Sequence, residues 1–151
     1  MIKIIEADLV NATEKLICHK VDCSGKMRKG ISKKIKAKYP EVYKACLTYT
    51  RSFTAESLVS QVQYIDIGDG KVVGNIYGYL DDGIAEKEMI SLQLLKKSFI
   101  DIKDFAKKYE FNIAMPYSLS PDYTDLENRE VFKLIKEVFD DCEVTLYKEK
   151  K

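Results

Sequence analysis

The regular succession of short apolar runs and longer segments of helical period constrains this chain more than any other feature. The runs at 2–5 (IKII), 16–21 (LICHKV), 62–67 (VQYIDI), 71–77 (KVVGNIY), 111–115 (FNIAM) and 143–147 (EVTLY) are too short to pack as helices. They are rich in β-branched and aromatic residues, which marks them as strands. Gly68-Asp69-Gly70 joins two of them and signals a hairpin. Between the runs, Ile31, Ile35 and Tyr39 fall at helical spacing up to Pro40, and 42–49 reads as a further short helix. Ile90, Leu94, Phe99, Ile102 and Phe105 make 86–109 a long amphipathic helix, and Phe132, Ile135, Val138 and Phe139 do the same for 129–140. Strands interleaved with amphipathic helices bury a sheet from both sides. The expected fold class is therefore α/β, a three-layer α/β/α arrangement around a mixed central sheet. The 151 residues, with no internal repeat or linker, read as a single domain, 1–151.

Charge narrows the function. Twenty-five Lys and Arg stand against 24 Asp and Glu, a net +1. A dedicated non-specific nucleic-acid binder carries a marked basic excess, so the basic stretch 26–38 reads as the solvated face of a helix. No apolar run approaches the roughly 20 residues of a membrane span. MIKIIEADLV has acids where a signal peptide would be basic and then uninterruptedly apolar. The expected location is cytoplasmic, with Cys18, Cys23, Cys46 and Cys142 as reduced thiols.

In a sheet of this kind ligands sit beyond the carboxyl ends of the strands. Two segments meet that description, 22–30 after LICHKV and 116–128 after FNIAM, and each leads into a helix whose first N–H groups suit phosphate oxygens. His19 is the only histidine, and with Cys18 and Cys23 it lacks paired metal-ligand spacing, so no metal site and no cofactor is expected. Asp122, Asp125 and Glu127 could serve as acid–base groups, or as the turn and cap residues that loops favour, with Asp125 or Asn128 capping the following helix.

These residues together resemble the macro domain family, along almost the whole chain. EADL (6–9) is similar to the family's Gly-Asp-Leu. CSGKMRKGISKKIKAKYPE (23–41) resembles its first binding loop and the helix that follows. NIYG, MPYSL and the closing VFKLIKEVFDDCEVTLYK fall in the family's order. The branch most similar holds the terminal ADP-ribose glycohydrolase and the phosphatases acting on ADP-ribose 1''-phosphate.

The resemblance implies that Asp8, with Leu9 beside it, meets the adenine amino group. It implies that Cys23, Ser24, Gly25, Met27, Lys29, Gly30 and Ile31 wrap the ribose and diphosphate, and that Tyr147 packs beside the adenine. The corresponding positions of the second loop are Ser118, Leu119, Ser120, Asp122 and Tyr123. Glu127 and Asp22 are the candidate catalytic carboxylates. The chain departs from the family in that second loop: LSPDYTDLEN replaces a glycine-rich stretch, with Pro121 removing a donor and Asp122 and Asp125 adding negative charge. After Asn75 the nearest lysine to the glycohydrolase nucleophile is Lys87. The implied function is binding of ADP-ribose or a related ADP-ribose-containing nucleotide, as a reader or sequestering protein, with an ADP-ribosylated protein as a candidate partner. The alternatives are a hydrolase removing ADP-ribose from proteins or phosphate from ADP-ribose 1''-phosphate, and an interaction module that has lost its pocket.

Overall fold

The computed structural model describes residues 1–79, 92–120 and 123–150. Six strands form one sheet: β1 (Ile2–Glu6), β2 (Leu16–Asp22), β3 (Val62–Gly68), β4 (Lys71–Tyr79), β5 (Ile113–Pro116) and β6 (Val144–Lys148). Their order across the sheet is β1-β6-β5-β2-β4-β3. All neighbours are parallel except the β3–β4 hairpin, so the sheet is mixed, as the sequence pattern predicts.

The helices are α1 (Gly30–Lys38), α2 (Pro40–Arg51), the short α3 (Ala55–Leu58), α4 (Leu92–Tyr109) and α5 (Asp125–Val138). They divide the core in two. Leu16 and Cys18 of β2 face Phe99 and Ile102 of α4 and Leu134 and Ile135 of α5. Ile17 and Val21 face the other way, toward Ile35 of α1 and Val42 and Cys46 of α2. A strand that is apolar on both faces can only be an interior strand between helix layers. β2 is such a strand, buried from Leu16 through Val21.

Three boundaries differ from the sequence reading. The chain from α1 resumes a helix at Pro40 itself, because proline's fixed φ and missing N–H cost nothing at a first helical position. The 129–140 helix starts earlier, at Asp125, because Thr124 and not Asp125 or Asn128 supplies the cap. α3 and a 3-10 turn at Leu9–Asn11 are elements the periodicity did not predict, being shorter than a helical repeat can register. The 86–91 part of the expected long helix, Lys87, Pro121 and Asp122 lie outside the described residues. Among the described residues no helix is long and apolar enough to cross a membrane.

Two connections position the site. From β2 the chain passes through α1, α2 and α3 to the β3–β4 hairpin on one side, and from β5 it returns through α5 to β6 on the other. β2 and β5 are themselves neighbours, so the direction of winding reverses between them. The loops after these two strands start at that switch point on the carboxyl edge, where sheets of this kind bind their ligands.

Candidate functional site

The first loop is shaped by Asp22. Its Oδ1 accepts the N–H of Ser24 at 2.8 Å and of Gly25 at 3.1 Å, and the Ser24 hydroxyl donates to the same oxygen. A carboxylate that folds the following backbone onto itself is an Asx turn. Gly25, Met27 and Gly30 then take positive φ values of 74°, 49° and 56°. Left-handed residues interleaved with ordinary ones turn successive N–H groups to one side and form an anion-binding concavity. At Gly25 a side chain is excluded twice over, by φ and by Thr50, whose Oγ1 would lie 2.9 Å from an added Cβ. Cys23 and Met27 send their side chains into the core and anchor the loop, while Lys26, Arg28 and Lys29 are exposed. Ile31 is half-buried and packs on the same core. No side chain caps α1, and its first turn holds no acid. The N–H groups that any helix leaves over at its start are here offered in a basic setting.

The second loop is built differently. The Ser118 hydroxyl lies 2.8 Å from the Ser120 carbonyl and 3.0 Å from Asn128 Oδ1, which ties the loop to α5. Leu119 and Ser120 are buried, and the Tyr123 ring, also buried, has the Lys20 ammonium 5.0 Å from its centroid. At the start of α5, Thr124 Oγ1 accepts the Glu127 N–H at 3.2 Å and Glu127 Oε1 accepts the Thr124 N–H at 2.9 Å. This reciprocal capping box satisfies the donors that α1 leaves open. Asp125 and Glu127 add negative charge to the same turn. Of the two helix starts that follow these loops, α1 suits an anion and α5 repels one.

Both candidate catalytic carboxylates are thus engaged in local backbone bonds: Asp22 in the first-loop turn and Glu127 in the cap. Asp8 lies at the far side of the same edge, just after β1, and takes the N-cap position of the 3-10 turn without capping it through its side chain. Lys34 of α1 reaches Asp8 at 3.4 Å and Glu149 at 2.8 Å, and Glu149 Oε2 accepts the Leu9 N–H at 2.8 Å. The Glu149 bond holds the Lys34 ammonium above the ordinary lysine range. Tyr147 is built into the α1–α2 side of the core with Leu9 and Ala114. Its hydroxyl donates to Glu14 Oε1 at 2.6 Å, and burial pushes its phenol up to about 12.

The ring nitrogens of His19 bond to Asn75 and Ser32, and not to Cys23. The residue is buried on β2, in register with Asn75 of β4. Its Nε2 lies 2.5 Å from Asn75 Oδ1, and its Nδ1 lies 3.0 Å from Ser32 Oγ on α1. The network fixes the tautomer. Gln63 Nε2 donates to the Ala45 carbonyl, so Gln63 Oε1 accepts from Asn75 Nδ2, and Asn75 Oδ1 is left facing the ring. The proton therefore sits on Nε2. Burial depresses the ring's pKa to about 4. The Cys23 thiol is raised to about 12 by burial, which removes its thiolate and with it any nucleophilic role at neutral pH. Cys18, Cys23, Cys46 and Cys142 are all free and buried. Among the described residues no three His, Cys, Asp or Glu side chains gather as metal ligands do.

Three residues at this edge escaped the sequence reading. Lys20 is buried, with its stem over Gly78, where an added Cβ would meet Lys20 Cδ at 2.6 Å. A lysine inside an apolar strand was the available signal. Lys34 and Glu149 are 115 positions apart in sequence, and no local pattern could have joined them.

No family model matches the sequence, and no curated protein matches it. Solved structures do. The macrodomain of Thermus aquaticus DarG shares 17% identity at a TM-score of 0.80 over 100% of this chain and 99% of that one. The macrodomain of Mycobacterium tuberculosis DarG shares 20% identity at a TM-score of 0.78 over 97% of each chain. Thermosipho africanus DarTG, solved in complex with ADP-ribose, shares 16% identity at a TM-score of 0.76 over 97% of this chain and 41% of that chain. Such identities carry the fold alone, and the fold is unambiguous: this chain is an α/β domain with the macrodomain fold.

Proposed function

We propose that the chain binds ADP-ribose, or a related ADP-ribose-containing nucleotide, at the carboxyl edge of its sheet, and that it holds this ligand without cleaving it. The observation that carries the reading is the contrast between the two helix starts. The first loop has three left-handed residues, exposed lysines and an uncapped, acid-free helix behind it. That arrangement is suited to the diphosphate, with Lys29, Gly30 and Ile31 supplying backbone donors at the helix start, the Ser24–Gly25 turn on Asp22 shaping the loop, and Cys23 and Met27 anchoring it. Asp8 supplies the acceptor for the adenine amino group. Ser118, Leu119, Ser120 and Tyr123 form the opposite wall. The likeness to Thermosipho africanus DarTG, solved in complex with ADP-ribose, supports the same ligand class.

The hydrolytic alternative asks Asp22 or Glu127 to activate water. One oxygen of each carboxylate already accepts backbone N–H from its own loop, which gives both residues a structural role that needs no catalysis. A reader or a sequestering protein needs neither to move. Incubation with an ADP-ribosylated protein tests this. The expected result is a retained complex with no free ADP-ribose beyond the uncatalysed rate. Release over many turnovers, abolished in Glu127→Gln or Asp22→Asn, would establish the hydrolase instead.

A further inference from the structure

We propose that Glu149 is a built-in competitor for the base-recognition edge of this site, occupying in the free protein the backbone donor that a purine ring nitrogen requires. The proposal rests on the reading of Asp8 as the adenine acceptor. Adenine presents a donor, the N6 amino group, beside an acceptor, N1, along one edge. Asp8 and the Leu9 N–H are consecutive on the chain and offer the complementary pair, an acceptor beside a donor. In the structure that donor is taken: the Leu9 N–H points at Glu149 Oε2, 2.8 Å away. The acceptor is partly neutralised as well, because Lys34 Nζ bridges Glu149 Oε1 at 2.8 Å and Asp8 Oδ1 at 3.4 Å. Groups following β1 and β6, and one on α1, thus close a clamp over both recognition atoms.

The clamp is built to open. The Glu149, Asp8 and Lys34 side chains are 24%, 41% and 47% exposed, so the ion pairs are screened by water and hold only weakly. An incoming base can take the Leu9 N–H from Glu149 while Lys34 keeps its carboxylate partners. The Leu9 N–H never goes unsatisfied: it exchanges a carboxylate oxygen for a ring nitrogen. A site guarded in this way binds an adenine nucleotide more weakly than its shape allows, and weak anions with no base gain nothing by displacing the carboxylate.

Calorimetry on wild type and Glu149→Ala, with ADP-ribose and with adenosine monophosphate as probes, tests this. Removing the competing charge-assisted bond should tighten both ligands about fivefold to tenfold. Removing a negative charge near an anionic ligand could mimic that gain, so Glu6→Gln is the control. Glu6 is exposed at the end of β1 and should leave both affinities unchanged. The Leu9 amide resonance supplies a second reading: it should move in ligand-free Glu149→Ala, and move on adding ADP-ribose to wild type. Equal affinities in wild type and Glu149→Ala overturn the proposal and leave the ligand assignment standing. Weaker binding in Glu149→Ala also overturns it, since Glu149 would then be a ligand contact. Gains of equal size in Glu149→Ala and Glu6→Gln reduce it to a charge effect. If neither ligand binds either protein, the assignment of the site fails and the proposal fails with it.

Discussion

Gly25→Ala isolates the geometry on which the cradle depends. Two costs can be read from the structure. At φ 74° an alanine sits in the left-handed region, which costs about 1–2 kcal/mol for a residue with a Cβ. The new Cβ would also lie 2.9 Å from Thr50 Oγ1 and 3.2 Å from its Cγ2, while its 3.5 Å distance from the Cys46 carbonyl is ordinary contact. Thr50 must therefore give way, at about 1 kcal/mol for a small overpacking. Alanine returns roughly 0.5 kcal/mol by stiffening the unfolded chain. The sum is a destabilisation of about 2 kcal/mol, measurable as a fall in the urea midpoint at unchanged slope.

The steric part can be separated. Thr50→Ala removes the obstructing atoms and gives up only a hydroxyl bond to the Leu47 carbonyl of its own helix. In that background Gly25→Ala should cost about 1 kcal/mol, a coupling of about 1 kcal/mol in the double-mutant cycle. ADP-ribose affinity should fall in Gly25→Ala with or without Thr50→Ala, because a residue driven off the left-handed φ of 74° re-aims the N–H that Asp22 holds and distorts the loop. A Gly25→Ala protein within 0.5 kcal/mol of wild type, or a cost that Thr50→Ala leaves unchanged, would refute the reasoning.

His19 predicts a pH dependence. Its folded pKa, about 4, lies below the ordinary 6.5, so between those values the unfolded chain binds more protons than the fold. The contribution is fully present above pH 6.5, is lost as the pH falls toward 4, and amounts to about 3 kcal/mol. Urea midpoints should rise with pH across that window in wild type and much less in His19→Gln; parallel profiles would contradict the buried neutral ring. Glu127→Gln tests the assignment of Glu127 to the cap. The amide can still accept the Thr124 N–H, so stability should fall by no more than about 1 kcal/mol and ADP-ribose affinity should not fall. A collapse of binding without loss of stability would place Glu127 at the ligand.

Much of the fold was legible because its signals are local. LICHKV, a short apolar run bounded by polar residues, reads as a strand and is β2, and the Gly68-Asp69-Gly70 turn pairs β3 with β4 antiparallel in the structure. The helical stripes of α4 and α5 face the core as their spacing requires. What stayed hidden depends on geometry between distant residues. Whether an aspartate after a strand is a base or a turn former cannot be read from its neighbours, and Asp22 became the latter through bonds to Ser24 and Gly25. Thr124 stands three residues before Glu127, a capping-box spacing, but the neighbouring Asp125 and Asn128 are equally good caps by residue type, and only the geometry chooses between them. The aromatic at Tyr147 was visible, but its partner Glu14 and its burial were not.

The central claim, that the carboxyl edge of the sheet binds ADP-ribose through the first loop's backbone, is tested most directly by calorimetry with ADP-ribose on wild type and Gly25→Ala under conditions where both are folded. The account predicts saturable heat at one ligand per chain for wild type and a clearly weaker affinity for the variant. No heat at millimolar ligand, or equal affinities for the two proteins, would contradict it.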